Sequence, residues 1–170
     1  MSEFSASYHL KTTDQQKAID LIRASDNTGF VFPEKNGWVT FIVEGPAFDI
    51  RESIIELNPG ILVHYIYMED HGWELSIFEK DELISHYKCD WTDDLIVDKD
   101  ELDLDMLREL IIMQGNAAED LEEVFDLVNF ADEEPPAYFI AQKLGLTYYE
   151  WLSADNIRDG LQYDNLITVD

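Results

Sequence analysis

Three of the four histidines and the only cysteine, His64, His71, His86 and Cys89, lie close together in the chain. Imidazole and thiolate are the ligands of a soft metal, but they must converge at about 2.0–2.3 Å from one ion. The surrounding stretch reads as strands, so His86 and Cys89, three residues apart, point to opposite faces. His71 falls in a turn. No metal is expected, and Cys89 is expected in the core beside Leu83 and Tyr87. Glu69, Asp70 and His71 place carboxylates next to an imidazole, the chemistry of general acid–base catalysis. Neighbours in a four-residue turn diverge, however, and Asp, His and Gly are ordinary turn residues. The chain has no Gly-x-Ser-x-Gly, no phosphate-cradling glycine loop and no His-Glu-x-x-His. The reading therefore leans away from an enzyme, and no cofactor is expected.

The spacing Asp98-x-Asp100-x-x-Asp103-x-Asp105, with Glu109 beyond, has the composition of a calcium loop. Counted from Asp98, position 5 is Leu102, and position 6 is Asp103 where the sharp turn needs glycine. A dedicated calcium site is not expected. Further on, Leu121, Val124, Phe125 and Val128 recur at i, i+3, i+4, i+7, one buried helical stripe over residues 117–129. That stripe leaves Glu119, Glu122, Glu123 and Asp126 on the outer face, with Asp120 beside them. Five negative charges over about 20 Å of helix approach the line density of one DNA strand, about six phosphates over the same length. Like charges at these spacings oppose helix formation. Such a face is held cheaply only if it is fully solvated or meets a cationic partner.

This helix belongs to a chain of unusual charge. In 170 residues, 37 acids stand against 11 bases, giving −26. Residues 90–134 hold 17 of the acids and 2 of the bases, so over half the net charge lies in about a quarter of the chain. That charge repels bare nucleic acid and anionic membranes. Hydrophobic content of 46% places the chain among globular proteins that fold without disulfides or metal. A lone thiol suits a reducing compartment. The first residues show neither the basic nor the apolar region of a signal peptide, and no apolar run nears the ~20 residues of a membrane span. A cytoplasmic location is expected.

The elements that must position these residues are a sheet and then helices. A strand through Tyr8 and Leu10 is followed by a helix that Thr13 and Gln16 open as a capping box, ending near Ser25. Phe30–Phe32 and Trp38–Val43 are β-rich runs joined by a hairpin turn over residues 33–37. Pro46 starts a second helix, with Phe48, Ile54, Ile55 and Leu57 available to pack. Three strands follow, Ile61–Met68, Trp73–Phe78 and Leu83–Cys89. The order β-α-β-β-α-β-β-β predicts an α+β fold, a mainly antiparallel sheet with two helices on one face, followed by a helical C-terminal half. Both faces of the 61–68 strand are apolar or aromatic, so either both are covered or one is a contact surface. Helices are expected over 101–114 and 117–129, then from Pro135-Pro136 to a Schellman-type stop at Gly145, with a last one opened by Thr147 and Glu150. The tail from Asn156 reads as a loop with room for a short strand at 166–169. The expected division is 1–91, an α+β sheet region, and 92–170, an acidic helical region, packed as one compact domain with the seam at 90–100.

Two functions from different classes suit these features. The first is an acidic binding module or inhibitor that neutralises a basic protein, such as an immunity protein for a nuclease toxin or a nucleic-acid mimic that inhibits a nucleic-acid enzyme. Its surface would comprise Asp98, Asp100, Asp103, Glu119, Glu122, Glu123 and Asp126. The second is a small-ligand-binding protein or enzyme whose pocket, between sheet and helices, uses His64, Tyr65, Trp73 and His86. A housekeeping domain charged only for solubility is the bland alternative.

Overall fold

The computed structural model describes residues 3–45, 50–119, 121–126, 135–158 and 163–170. Its centre is an eight-stranded sheet: β1 (Phe4–Lys11), β2 (Gly29–Val31), β3 (Trp38–Val43), β4 (Ile61–Met68), β5 (Gly72–Glu79), β6 (Glu82–Asp90), β7 (Ile96–Asp98) and β8 (Ile167–Val169). The spatial order is β7-β6-β5-β4-β1-β3-β2-β8, and every pairing is antiparallel. The helices are α1 (Gln15–Ala24), α2 (Glu52–Leu57), α3 (Leu104–Met113), α4 (Leu121–Asp126), α5 (Pro136–Leu144) and α6 (Ala154–Arg158). The fold is α+β with an antiparallel sheet.

Pleating sorts the strands into two apolar faces. One face buries Tyr8, Leu10, Val39, Phe41 and Leu62 beneath Ile19 and Ile22 of α1 and Ile54 of α2. The other buries Tyr65, Trp73, Leu75, Tyr87 and Cys89 beneath Leu107 and Ile111 of α3, Leu121, Val124 and Phe125 of α4, and Ile140 of α5. Both faces of β4 are therefore covered. The expected stripe on α4 is buried as far as it is described; Val128 lies outside the described residues, as do Pro46 and Phe48.

Local chemistry explains several boundaries. Asn36 and Gly37 both take positive φ, 57° and 81°, and Lys35 and Trp38 exchange backbone bonds across them, the two-residue turn that suits the twist of a hairpin. Gly145 stops α5 at φ 86°, and the Leu146 N–H reaches back to the Ala141 carbonyl. The α1 cap is Asp14 rather than Thr13: its carboxylate accepts the Gln16 N–H at 3.0 Å, while Thr12 Oγ1 accepts the Asp14 N–H.

Other expectations are corrected. The helical stretch at 117–129 begins only at Leu121, so Glu119 precedes the helix. Thr147 and Glu150 open no helix. Trp151 has φ 54°, and the chain runs on beside β1, where the Ala6 N–H donates to the Leu152 carbonyl at 2.8 Å. This segment continues past the end of β3, so tertiary pairing outweighs local propensity. The sheet is not confined to residues 1–91, because β7 and β8 come from beyond it, and β7 falls within the expected seam. Leu83 is 43% exposed rather than beside Cys89, because the β5–β6 register shifts between Ile77 and Phe78.

Candidate functional site

Every described acid between residues 93 and 123 is exposed, while Leu107, Leu110 and Ile111 of α3 and Leu121, Val124 and Phe125 of α4 turn inward. Asp100, Asp103 and Glu122 come together along an open groove of about 580 Å³ that also includes Glu101 and Asp105. Arg108 is the cation in this groove. Its guanidinium meets Asp105 at 3.0 Å and also contacts Glu122. Asp98, Glu119 and Glu123 are exposed outside the groove's lining. Asp98 stands directly opposite Lys88 on β6, a cross-strand pair of opposite charge. The side chain of Asp126, and Asp120 entirely, lie outside the described residues.

The predicted surface residues thus differ in their work. Asp103 caps α3, accepting the Met106 N–H at 3.1 Å, while its own N–H donates to Ser85 Oγ at 2.9 Å. Asp98 accepts the Asp100 N–H at 3.3 Å. Replacing Asp103 by alanine should lower stability by about 1 kcal/mol through the lost cap. Urea unfolding measures this, and an unchanged midpoint would show that the cap contributes nothing to α3.

The four residues proposed for a ligand pocket do not share a face. Tyr65 and Trp73 are buried against the α3–α5 layer. His64 lies on the other side of the sheet, its ring 4.6 Å from that of Tyr8. His86 shares that second side, where its Nε2 meets Glu74 at 3.0 Å. The alternation that separates neighbours on a strand separates His64 from Tyr65. His71 and its neighbours do not converge either. His71 Nδ1 meets Thr92 Oγ1 at 3.0 Å, and the Glu69 carboxylate accepts the Glu3 N–H at 2.8 Å.

The sequence reading missed a polar row on β1. Glu3, Ser5, Ser7 and His9 alternate along the strand and are all buried. His9 Nε2 meets Ser7 Oγ and its Nδ1 meets Thr40 Oγ1, each at 2.8 Å. A serine against an imidazole has the outline of a nucleophile and its base. Here burial, and secondarily the neighbouring His64, depresses the His9 pKa to about 3, so the ring is a weak base in a closed site. Glu3 accepts bonds from Ser5 Oγ and the Trp151 N–H and is touched by the Tyr138 hydroxyl. Burial raises its pKa. This row anchors the 151–152 segment to β1, with the Leu152 N–H on Ser5 Oγ at 3.0 Å. The signal in the sequence was polar alternation opposite Tyr8 and Leu10.

Among the described residues, no three His, Cys, Asp or Glu side chains form a metal-binding group, and no helix is long and apolar enough to cross a membrane. Compared with family models, with curated proteins and with solved structures, the chain finds no match.

Proposed function

We propose that this chain is an acidic binding module that engages and neutralises a basic protein through its surface between residues 93 and 123. The supporting observation is the uniform exposure of the described acids there, with Lys99 and Arg108 the cations of that stretch. A field of this sign accelerates encounter with a cationic surface and repels nucleic acid itself. Immunity proteins for nuclease toxins and nucleic-acid-mimicking inhibitors are the classes of protein that work this way.

The geometry selects which acids to test. Asp103 caps a helix and Glu122 contacts Arg108, so both are left intact. Asp98 stands opposite Lys88 and is left intact as well; replacing Asp94, Asp100, Glu119 and Glu123 by lysine should preserve the fold, since all four are exposed. Association with the basic partner should slow by about tenfold or more, and wild-type binding should weaken as salt rises. Affinity capture from the native host at low and high salt, wild type against the reversal, provides the measurement. Identical partner lists for the two proteins would sink the proposal and leave solubility as the role of the charge.

A further inference from the structure

We propose that β7 is a docking edge that takes an extended, Lys/Arg-rich segment of the partner as a ninth strand. This rests on the acidic-module reading and specifies how that module grips.

The sheet ends in β7, and among the described residues no strand pairs with its outer side. The direction of its backbone groups follows from the ladder. The Trp91 N–H donates to the His71 carbonyl at 2.8 Å, which makes Gly72 and Asp90 a non-hydrogen-bonded pair. Cys89 then bonds to β5, and Asp90 and Lys88 turn their N–H and C=O groups the other way. The His86 N–H, donating to the Glu101 carbonyl at 3.1 Å, has the same parity. Asp90 and Lys88 therefore bond to Ile96 and Asp98, their partners on β7. The N–H and C=O of Val97 are left pointing away from the sheet, and the rest of β6 is closed off by the chain at Glu101.

The side chains around this edge favour a particular occupant. Leu95, just before β7, and Ile96 are 46% and 63% exposed, and Ile96 offers an apolar contact to one face of an added strand. Asp93, Asp94, Asp98 and Asp100 flank them, all exposed, with Lys99 among them. Edge strands invite self-pairing, and like charge is a common guard against it. A guard of one sign repels a second copy of this chain but attracts a strand of the opposite sign.

The test uses the full chain and two synthetic peptides of equal charge: KVKVKVK, and the same peptide N-methylated at every residue so that neither edge can donate. Fluorescence anisotropy at low salt should show the parent binding about tenfold more tightly, the effect of one or two backbone hydrogen bonds. Exchange of the Val97 amide hydrogen should slow with the parent peptide only. Val97→Pro, which removes the outward N–H that donates to a peptide carbonyl and leaves the β6 ladder intact, should weaken binding of the parent peptide several-fold. The N-methylated peptide tests the reciprocal bond, from the peptide N–H to the Val97 carbonyl, on the wild-type chain, so the proposal stays falsifiable if that variant misfolds. Equal affinity of both peptides for the wild type would overturn strand addition while leaving the acidic-module reading standing. No binding of either would overturn both. Self-association of the chain that blocks peptide binding would make a second copy the occupant and overturn the proposal.

Discussion

Replacing Phe125 by alanine should lower the unfolding free energy by about 3–5 kcal/mol. Phe125 is 2% exposed, with its ring centroid 4.8 Å from Tyr87 and 6.0 Å from Trp73. The Tyr87 hydroxyl also donates to the Phe125 carbonyl at 3.3 Å, so helix and sheet are joined by a polar bond as well as by rings. Truncation removes both ring contacts and opens a hole lined by groups that cannot all collapse into it. The six described residues of α4 are too few to hold a helix unaided, and they depend on this docking. Glu122 and Glu123 lie on the same short helix, and their presentation depends on the same contact. Urea unfolding gives the stability change. A loss below about 1 kcal/mol would mean that α4 does not depend on this anchor.

Elements with a strong period were legible in the sequence. The β-rich apolar runs of β4 and β5, the Asn36-Gly37 turn and the Leu121, Val124, Phe125 stripe each carry a sustained apolar signal or a defined turn chemistry. β8 falls where the tail left room for a short strand at 166–169, whereas the three residues of β7 carry neither signal and pair because a distant edge offers hydrogen bonds. The 149–152 segment shows a direct conflict: Thr147 and Glu150 favour a helix, but Ser5 and Glu3 hold the backbone of Trp151 and Leu152 beside β1. The acidity of the surface was visible in composition. Its division was not, because Glu122 meets Arg108 from another helix and Asp98 stands opposite Lys88 on another strand.

Acid should destabilise the protein through two buried histidines, and replacing His64 by phenylalanine should remove about half of that effect. His9 is fully buried between Ser7 and Thr40, and His64 is 1% exposed beside Tyr8. Burial lowers their pKa values from 6.5 to about 3 and about 4, respectively. At neutral pH both rings are uncharged in the folded and unfolded chain. Below pH 6.5 the unfolded chain takes up protons that the folded chain refuses, so stability falls with pH until the folded values are reached. Each histidine should cost about 2–3 kcal/mol by pH 4.5. Glu3 acts in the opposite direction: its pKa is raised by burial, so its protonation on acidification favours the folded chain. Relief of self-repulsion among the surface carboxylates acts the same way. The wild-type curve therefore mixes opposing contributions, whereas the difference between wild type and His64→Phe isolates one ring. His64 Nδ1 has no hydrogen-bond partner among the described residues, so an apolar ring at that position loses no bond there. Urea unfolding at pH 7 and pH 4.5 should show the variant losing about 2–3 kcal/mol less than the wild type between the two. Parallel pH profiles would mean that His64 takes up its proton while the protein remains folded, and that the site admits water or a counter-charge on acidification.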